Sequence, residues 1–303
     1  MTKIKLALDW TPNINHIGFF IAKDLGFYTN QGIDLEILNP LEDNYQITPG
    51  KKLEMNLADF AIAPFETVIS LNNKANKVEA VAVFAILQED ISCIVTLQDA
   101  KILSPKDLYN KTYASYKARY EDHIVKQMIV NDKGKGEFTI IYPDKLGIWN
   151  TLLEGEADAT WIFDNWEGVE AETKNVKLTK FTLRDYDIPY GYSPVVLTKQ
   201  GNLLHQKESY TNFIKATRQG FLFTKKDPAQ AVSILKNYLS DDETNNIDLD
   251  KSLLMTLPYL GNEKNCGMMH PERVISFLQW LVDHKLEDNI ILTQDLFTND
   301  LLY

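Results

Sequence analysis

Hydrophobic and polar positions along the chain follow two periods, one typical of strands and one typical of helices. Lys3–Leu8 and Ile33–Leu38 have apolar residues at alternate positions, which predicts half-buried strands. His16–Leu25 is amphipathic at helical spacing and is followed by Gly26, a residue that favours a helix C-terminus. Strand-like and helix-like segments continue in alternation, and this order predicts an α/β fold with largely parallel sheets.

The alternation of strands and helices begins a second time near residue 91. A helix start at Ser104 and Pro105 opens this second unit, and an apolar strand at Ser193–Thr198 is expected to close it. Everything after Ser209 is predicted to be helical. One α/β unit is therefore interrupted by another before the chain returns to the first with a helical tail.

This interruption predicts two lobes and a hinge. We place residues 1–88 and 196–303 in lobe 1 and residues 89–195 in lobe 2, with crossings near residues 88–91 and 188–195. In such an arrangement a ligand lies in the crevice beyond the strand ends, where helix N-termini point inward.

Charge and hydropathy exclude several classes of partner. The net charge of −11 argues against binding to nucleic acid or to an anionic membrane. No apolar run approaches the ~18 residues that a membrane-spanning helix needs. Met1–Lys3 leads directly into a strand without the features of a signal peptide. We therefore expect a cytoplasmic protein, or a periplasmic or other extracytoplasmic one if a signal segment has been removed.

Motifs for catalysis, cofactors and metals are absent from the sequence. It contains no GxGxxG, GxxxxGK[ST], HExxH or GxSxG pattern and no calcium-binding loop. Cys93 lies in an apolar strand and is expected to be a buried free thiol. Cys266 and His270 are four residues apart, which supplies half a zinc site at best. We therefore predict no cofactor, no metal ion and no catalytic residue.

Several segments within residues 4–200 carry a resemblance to a known family. They are Leu8–Gly18, Ala22–Tyr28, Gly32–Leu35, Asp59–Ala63 and Gly155–Ala159. The chain resembles proteins grouped around thiamine-pyrimidine precursors, which include bacterial receptors for formylaminopyrimidine and the fungal-type hydroxymethylpyrimidine phosphate synthase. Leu8–Gly18 is fairly specific for this branch, whereas Gly155–Ala159 is shared with sulfonate and nitrate receptors.

The resemblance implies a type II periplasmic-binding-protein fold with a hinge and an inter-lobe cleft. It also implies that the chain binds a small aminopyrimidine, as a substrate-binding protein whose partner is an ABC-transporter permease. In the synthase branch a lysine holds pyridoxal phosphate and a histidine follows four residues later. Ala63 and Thr67 stand at these positions here, and a Schiff base needs an amine. A cytosolic synthase-like enzyme and a cytosolic binder of a related small molecule remain as alternatives.

In lobe 1 the first candidates lie in the loop after the first strand. Asp9, Trp10, Asn13 and His16 supply a flat aromatic face and directional polar groups, which an aminopyrimidine needs. Trp10 can instead belong to the core, and His16 can instead cap the helix.

Phe65 and Glu66 form a second candidate group in lobe 1, at a turn from strand to helix. The family places ligand contacts at this turn. Glu66 is also favoured there by the helix dipole alone, so the ligand-binding and the structural explanation both stand.

In lobe 2 the candidates begin where a strand at Lys111–Ser115 leads into a helix. Tyr116, Arg119 and Tyr120 lie at this helix start, and Arg119 and Lys117 with the backbone N–H groups would form an anion or phosphate cradle. A solvated, charged helix start is the alternative.

Two further segments of lobe 2 complete the predicted site. Asp164, Trp166 and Glu167 lie at another turn from strand to helix, where a buried core does not require two carboxylates. Tyr190 and Tyr192 lie at the return crossing, where a hinge role competes with ligand contact.

Overall fold

Residues 1–303 are all described by the structure, a computed structural model, and their strands form two five-stranded sheets. The ten strands are β1 Thr2–Ala7, β2 Ile33–Leu38, β3 Phe60–Ala63, β4 Ala80–Ala85, β5 Ser92–Leu97, β6 Thr112–Ala114, β7 Thr139–Ile141, β8 Ala159–Phe163, β9 Leu178–Thr182 and β10 Val195–Lys199. The first sheet has the order β2-β1-β3-β10-β4 and the second has the order β7-β6-β8-β5-β9. We name the unit built on the first sheet lobe 1 and the unit built on the second lobe 2.

The two sheets share one mixed topology. In lobe 1, β1 runs parallel to β2 and β3, whereas β10 runs antiparallel to β3 and β4. In lobe 2, β6 runs parallel to β7 and β8, whereas β5 runs antiparallel to β8 and β9. Four of the five strands in each sheet thus run in one direction, which agrees with the prediction of largely parallel sheets, and the reversed strands β10 and β5 are the part that was not predicted. Since β5 and β10 are the first strands after each crossing, their direction follows from the crossing rather than from a right-handed strand–helix–strand connection.

The chain passes between the sheets twice. β4 ends at Ala85 and β5 begins at Ser92, while β9 ends at Thr182 and β10 begins at Val195. The strand expected at Ser193–Thr198 thus belongs to lobe 1 rather than closing lobe 2, because Val195 pairs with both Ala63 and Ala85. The lobe boundaries at residues 88/89 and 195/196 stay a prediction.

Thirteen α-helices surround the sheets and form the C-terminal tail. They are α1 Ile17–Asp24, α2 Phe27–Asn30, α3 Pro49–Glu54, α4 Glu66–Asn72, α5 Glu121–Asn131, α6 Ile148–Leu153, α7 Glu167–Thr173, α8 Gln200–His205, α9 Lys207–Lys226, α10 Pro228–Lys236, α11 Asp241–Asn246, α12 Leu249–Thr256 and α13 Pro271–Asp283. None of them combines the length and the apolar character needed to cross a bilayer. Cys93 and Cys266 are both buried free thiols, which confirms the expectation for Cys93.

Helix α1, which follows the first candidate loop, is held tightly against α9. A Cβ atom on Gly220 would lie 2.0 Å from the carbonyl oxygen of Gly18, so only glycine allows this approach. Phe19 and Phe221 meet edge to face at the same crossing, with ring centroids 5.2 Å apart. The long tail helix therefore fixes where the loop before α1 presents its side chains.

The lobes touch each other on both sides of the space between them. On one side Asn165 of lobe 2 donates to Asn15 Oδ1 and Thr256 Oγ1, both at 2.8 Å. On the other side Glu287 of the tail accepts hydrogen bonds from Arg119 in lobe 2. The structure is thus a closed arrangement of the two lobes.

Candidate functional site

A cavity of about 370 Å³ lies between the two lobes. Its wall includes residues at the ends of strands in both sheets, so each lobe contributes one side. The volume falls within the range of small-molecule sites, about 300–1,000 Å³. The predicted site residues that line it are Asp9, Trp10, Asn13, Glu66, Tyr116, Arg119, Trp166, Glu167 and Tyr190.

The loop after β1 is held in shape by its own polar side chains. Asn13 Oδ1 accepts the Asn15 N–H at 2.9 Å and Asn13 Nδ2 donates to the Thr11 carbonyl at 3.0 Å. His16 is fully buried, and its Nε2 lies 2.7 Å from Asp9 Oδ1. His16 therefore orients Asp9 from behind the cavity wall and does not line the cavity itself.

Aromatic side chains from both lobes face one another across the cavity. Trp10 of lobe 1 lies 5.8 Å from Tyr116 of lobe 2, edge to face, and 6.0 Å from Tyr45. A second pair, Trp161 and Tyr190, has ring centroids 5.2 Å apart. Because these rings are attached to different lobes and crossings, a flat ligand can be enclosed only when the lobes close.

Two carboxyl groups of the cavity wall are buried strongly enough to change their protonation. Burial and, to a smaller extent, the nearby Glu121 raise the pKa of Glu66 to about 8, while Arg119 opposes the shift. Burial raises the pKa of Glu167 to about 7, against hydrogen bonds from backbone N–H groups that include that of Phe163. Both groups hold protons near neutral pH more readily than exposed carboxyls do.

The helix start predicted as an anion cradle is already occupied by a side chain of the protein. Glu121 accepts the backbone N–H groups of Tyr116 at 3.0 Å and Ala118 at 3.1 Å. Lys117 points outward, with its ammonium group 5.2 Å from the Tyr142 ring centroid. The interpretation of this segment as an open phosphate cradle is therefore wrong, because Glu121 fills it.

Arg119 and Tyr120, the other candidates at this helix start, are engaged by the C-terminal tail. Arg119 Nε lies 2.9 Å from Glu287 Oε1, and the hydroxyl of Tyr120 donates to the same oxygen at 2.5 Å. Tyr120 is buried by this contact and does not line the cavity, whereas Arg119 still reaches its rim.

Three more predicted residues lie outside the cavity wall. Phe65 is 1% exposed and belongs to a core cluster beneath the wall. Asp164 pairs with Lys180 on β9 at 2.5 Å, which holds its carboxylate away from the cavity. Tyr192 is buried in the hinge, where its hydroxyl accepts the His270 N–H at 2.9 Å. With His16 and Tyr120, these are the candidates that the structure does not bring to the cavity.

Some of the lining residues carried no usable signal in the sequence. Tyr45 lies in an irregular polar stretch, and its hydroxyl donates to the Asp9 carbonyl oxygen. Lys145 lies in a short turn with its ammonium group 5.4 Å from the Tyr45 ring centroid. Trp161, within β8, differs from these two because it belongs to the segment with Asp164, Trp166 and Glu167 that the sequence predicts as cleft lining. Other lining residues, among them Thr67, Lys117 and Glu121, stand beside predicted site residues in the sequence.

Comparison with known proteins identifies the family. Residues 13–231 match the family described as NMT1/THI5 like, which is more than half of the chain. The chain belongs to this family. The match begins within the loop of Asp9–Asn13 and extends through both sheets into the tail, so the predicted membership is confirmed.

Relatives of this NMT1/THI5-like chain include two named for pyrimidines. It is 22% identical to the formylaminopyrimidine-binding protein of Halalkalibacterium halodurans, with 98% of this chain and 89% of that protein aligned. It is 23% identical to the 4-amino-5-hydroxymethyl-2-methylpyrimidine phosphate synthase of Legionella pneumophila, with 77% and 73% aligned.

Solved structures establish the fold of this family member. The alkanesulfonate-binding protein SsuA from Xanthomonas axonopodis pv. citri superimposes with a TM-score of 0.71 at 12% identity, covering 99% of this chain and 98% of that one. The periplasmic nitrate-binding protein NrtA from Synechocystis superimposes with a TM-score of 0.72 at 10% identity, covering 100% and 87%. The predicted two-lobed periplasmic-binding-protein fold is therefore confirmed.

Proposed function

We propose that the protein binds a small aminopyrimidine precursor of thiamine, of the formylaminopyrimidine or hydroxymethylpyrimidine type, in the cavity between its lobes. In this role it is a substrate-binding protein of an ABC transporter, with a permease as its partner. Support for the ligand class comes from the relatives in H. halodurans and L. pneumophila, which are named for pyrimidines of this kind.

The observation that carries the proposal is the pairing of aromatic faces with buried carboxyl groups in one closed cavity. Trp10 and Tyr116 approach from opposite lobes, and Glu66 and Glu167 line the same space. An aminopyrimidine has a flat ring, an exocyclic amine that donates and ring nitrogens that accept. A stacking face and polar groups of both kinds are therefore the two features that such a ligand requires.

A receptor fits this cavity better than a synthase that consumes pyridoxal phosphate and one of its own histidines. Ala63 and Thr67 both form part of the cavity wall, so the positions of the family's lysine and histidine face the space where they would act. Neither side chain can form a Schiff base or supply an imidazole. His16 is near but buried behind Asp9, and no histidine lines the cavity.

Calorimetry with 4-amino-5-hydroxymethyl-2-methylpyrimidine tests the ligand class directly. We expect saturable binding of one molecule per chain. The matched control ligand is the analogue with an oxo group in place of the 4-amino group, because this replaces the donor beside the ring nitrogen by an acceptor. We expect the analogue to bind at least about tenfold more weakly, since a buried polar group is left unpaired. Equal binding of both ligands, or no binding of the pyrimidine, would contradict the proposal.

Uptake measurements test the transport role separately. Cells that carry the gene should accumulate a labelled aminopyrimidine, and cells that lack it should accumulate less at limiting concentration. Fractionation of the same cells should place the protein outside the cytoplasm. Unchanged uptake together with a cytoplasmic location would favour the cytosolic binder over the receptor.

A further inference from the structure

A carboxyl group of the protein occupies the position at the start of α5 where an anionic ligand group would otherwise bind. The two oxygens of Glu121 accept the backbone N–H groups of Tyr116 and Ala118, at 3.0 and 3.1 Å. The hydroxyl of Tyr113 donates to the same carboxylate at 2.8 Å. Converging N–H groups before a helix are a common binding site for phosphate and sulfonate groups. Here the side chain of Glu121, which is 3% exposed, occupies that site.

A second buried carboxyl approaches from the opposite lobe. Glu66 at the start of α4 is 3% exposed, lines the cavity, and its Oε2 has no hydrogen-bond partner. Burial and the proximity of Glu121 raise the pKa of Glu66 to about 8, which favours the protonated form of this group at neutral pH. A protonated carboxyl carries one donor and one acceptor side by side. An amine next to a ring nitrogen presents the complementary pair.

The basic side chains of the cavity wall do not provide an alternative binding site for an anionic ligand group. Lys74 and Lys117 are exposed at the rim, and Arg119 is paired with Glu287. Lys145 reaches further in, where burial lowers its pKa and the charge of Glu121 opposes that shift. An ionised phosphate at the start of α5 would therefore meet occupied N–H groups and a carboxylate.

We infer that Glu121 and Glu66 make the cavity select an uncharged, unphosphorylated ligand with a donor next to an acceptor, and reject the phosphate ester of the same ligand. This inference rests on the proposed function and specifies its ligand class. Glu121 rejects the ester because its carboxylate uses the N–H groups that would bind the phosphate. Glu66 favours the uncharged ring because it can donate and accept at once.

The test compares 4-amino-5-hydroxymethyl-2-methylpyrimidine with its phosphate ester by calorimetry at pH 7. For the unmodified protein we expect the alcohol to bind about tenfold more tightly than the ester, or better, which corresponds to about 1.4 kcal/mol. In Glu121→Ala and Glu121→Gln the ratio of the two dissociation constants should fall to about threefold or less. Asp122→Asn is the matched control, since Asp122 is the next carboxylate in the chain but bonds to Ser115 and Tyr142 outside the cavity wall. It should leave the ratio unchanged.

A second arm uses inorganic phosphate alone and does not depend on any pyrimidine. Thermal unfolding with and without 10 mM phosphate, against chloride at equal ionic strength, should show a stabilising shift in Glu121→Ala that the unmodified protein lacks. Glu121→Gln serves in its place if the alanine variant does not fold. Failure of both pyrimidines to bind would refute the proposed function, and this arm would still decide the role of Glu121.

Two results would overturn the inference. One is an unmodified protein that binds the ester as tightly as the alcohol. The other is a folded Glu121 variant that keeps the tenfold preference, or that gains no stabilisation from phosphate.

Discussion

Removal of the Trp10 ring should weaken pyrimidine binding through two separate losses. The first is the stacking contact with the ligand, for which base–aromatic contacts suggest about 1–3 kcal/mol. The second is the edge-to-face contact between Trp10 and Tyr116, which joins the lobes only when they are closed. Aromatic pairs of this kind contribute about 0.5–1.5 kcal/mol. Together the two losses predict that Trp10→Ala weakens binding between about tenfold and about two-thousandfold.

Calorimetry on three variants separates these two losses. Trp10→Phe keeps a smaller aromatic face and should recover part of the affinity that Trp10→Ala loses. Tyr116→Leu removes the contact between the lobes while keeping Trp10 itself. Combining Trp10→Ala with Tyr116→Leu in a double-mutant cycle should then show a coupling energy of about 0.5–1.5 kcal/mol.

A folded Trp10→Ala protein that binds the pyrimidine with the affinity of the unmodified protein would refute a stacking role for this ring. That result would remove Trp10 from the site. A coupling energy of zero would be compatible with stacking between Trp10 and the ligand, but it would show that the Trp10–Tyr116 contact does not contribute to lobe closure.

Three further predictions concern stability, pH and chemistry. Gly220→Ala should lower the free energy of unfolding by about 1–3 kcal/mol through its clash with Gly18, whereas Gly201→Ala, with open space around its Cβ, should be near neutral in the same urea titration. The pKa of Glu66 rises from 4.5 to about 8 on folding, so the folded state keeps a proton that the unfolded state loses, and stability falls as pH rises from 4.5 to about 8. The urea midpoint should therefore be lower at pH 9 than at pH 6, and this difference should be smaller in Glu66→Gln. Pyridoxal phosphate with iron under air should give no pyrimidine product; product together with mass loss at a histidine would contradict this.

Regular elements could be predicted from the sequence where a buried periodic face dictates them. Ile33–Leu38 is a strand at the predicted positions, because Ile33 and Leu35 are buried on one face while the backbone pairs with β1 along its length. β9 was missed because Leu178–Thr182 is a largely polar edge strand with one buried side chain. The reversed direction of β5 and β10 was also not predicted, because it depends on how the chain passes between the lobes and not on local periodicity.

Most of the candidate site that could be predicted lies just after a strand, and Tyr190 at the return crossing is the exception. Trp10, Glu66 and Glu167 were found in this way, because strand ends of both sheets open onto the cavity. Tyr45 and Lys145 reach the cavity from irregular segments, and their contact with each other depends on how the lobes meet. No local pattern records a contact between residues a hundred positions apart.

The start of α5 shows how one local pattern can support opposite chemistry. A strand, free backbone N–H groups and two basic side chains predict an anion site at Tyr116–Tyr120. Which anion binds these N–H groups depends on which one is nearest. The side chain of Glu121 belongs to the same chain, so it reaches them without the loss of translational and rotational freedom that a separate molecule undergoes on binding. An external phosphate must displace this internal carboxylate, so the same backbone geometry that binds an anion elsewhere disfavours one here. The identity of a single residue at the helix N-terminus therefore changes the charge that the cavity accepts, while the fold around it stays the same.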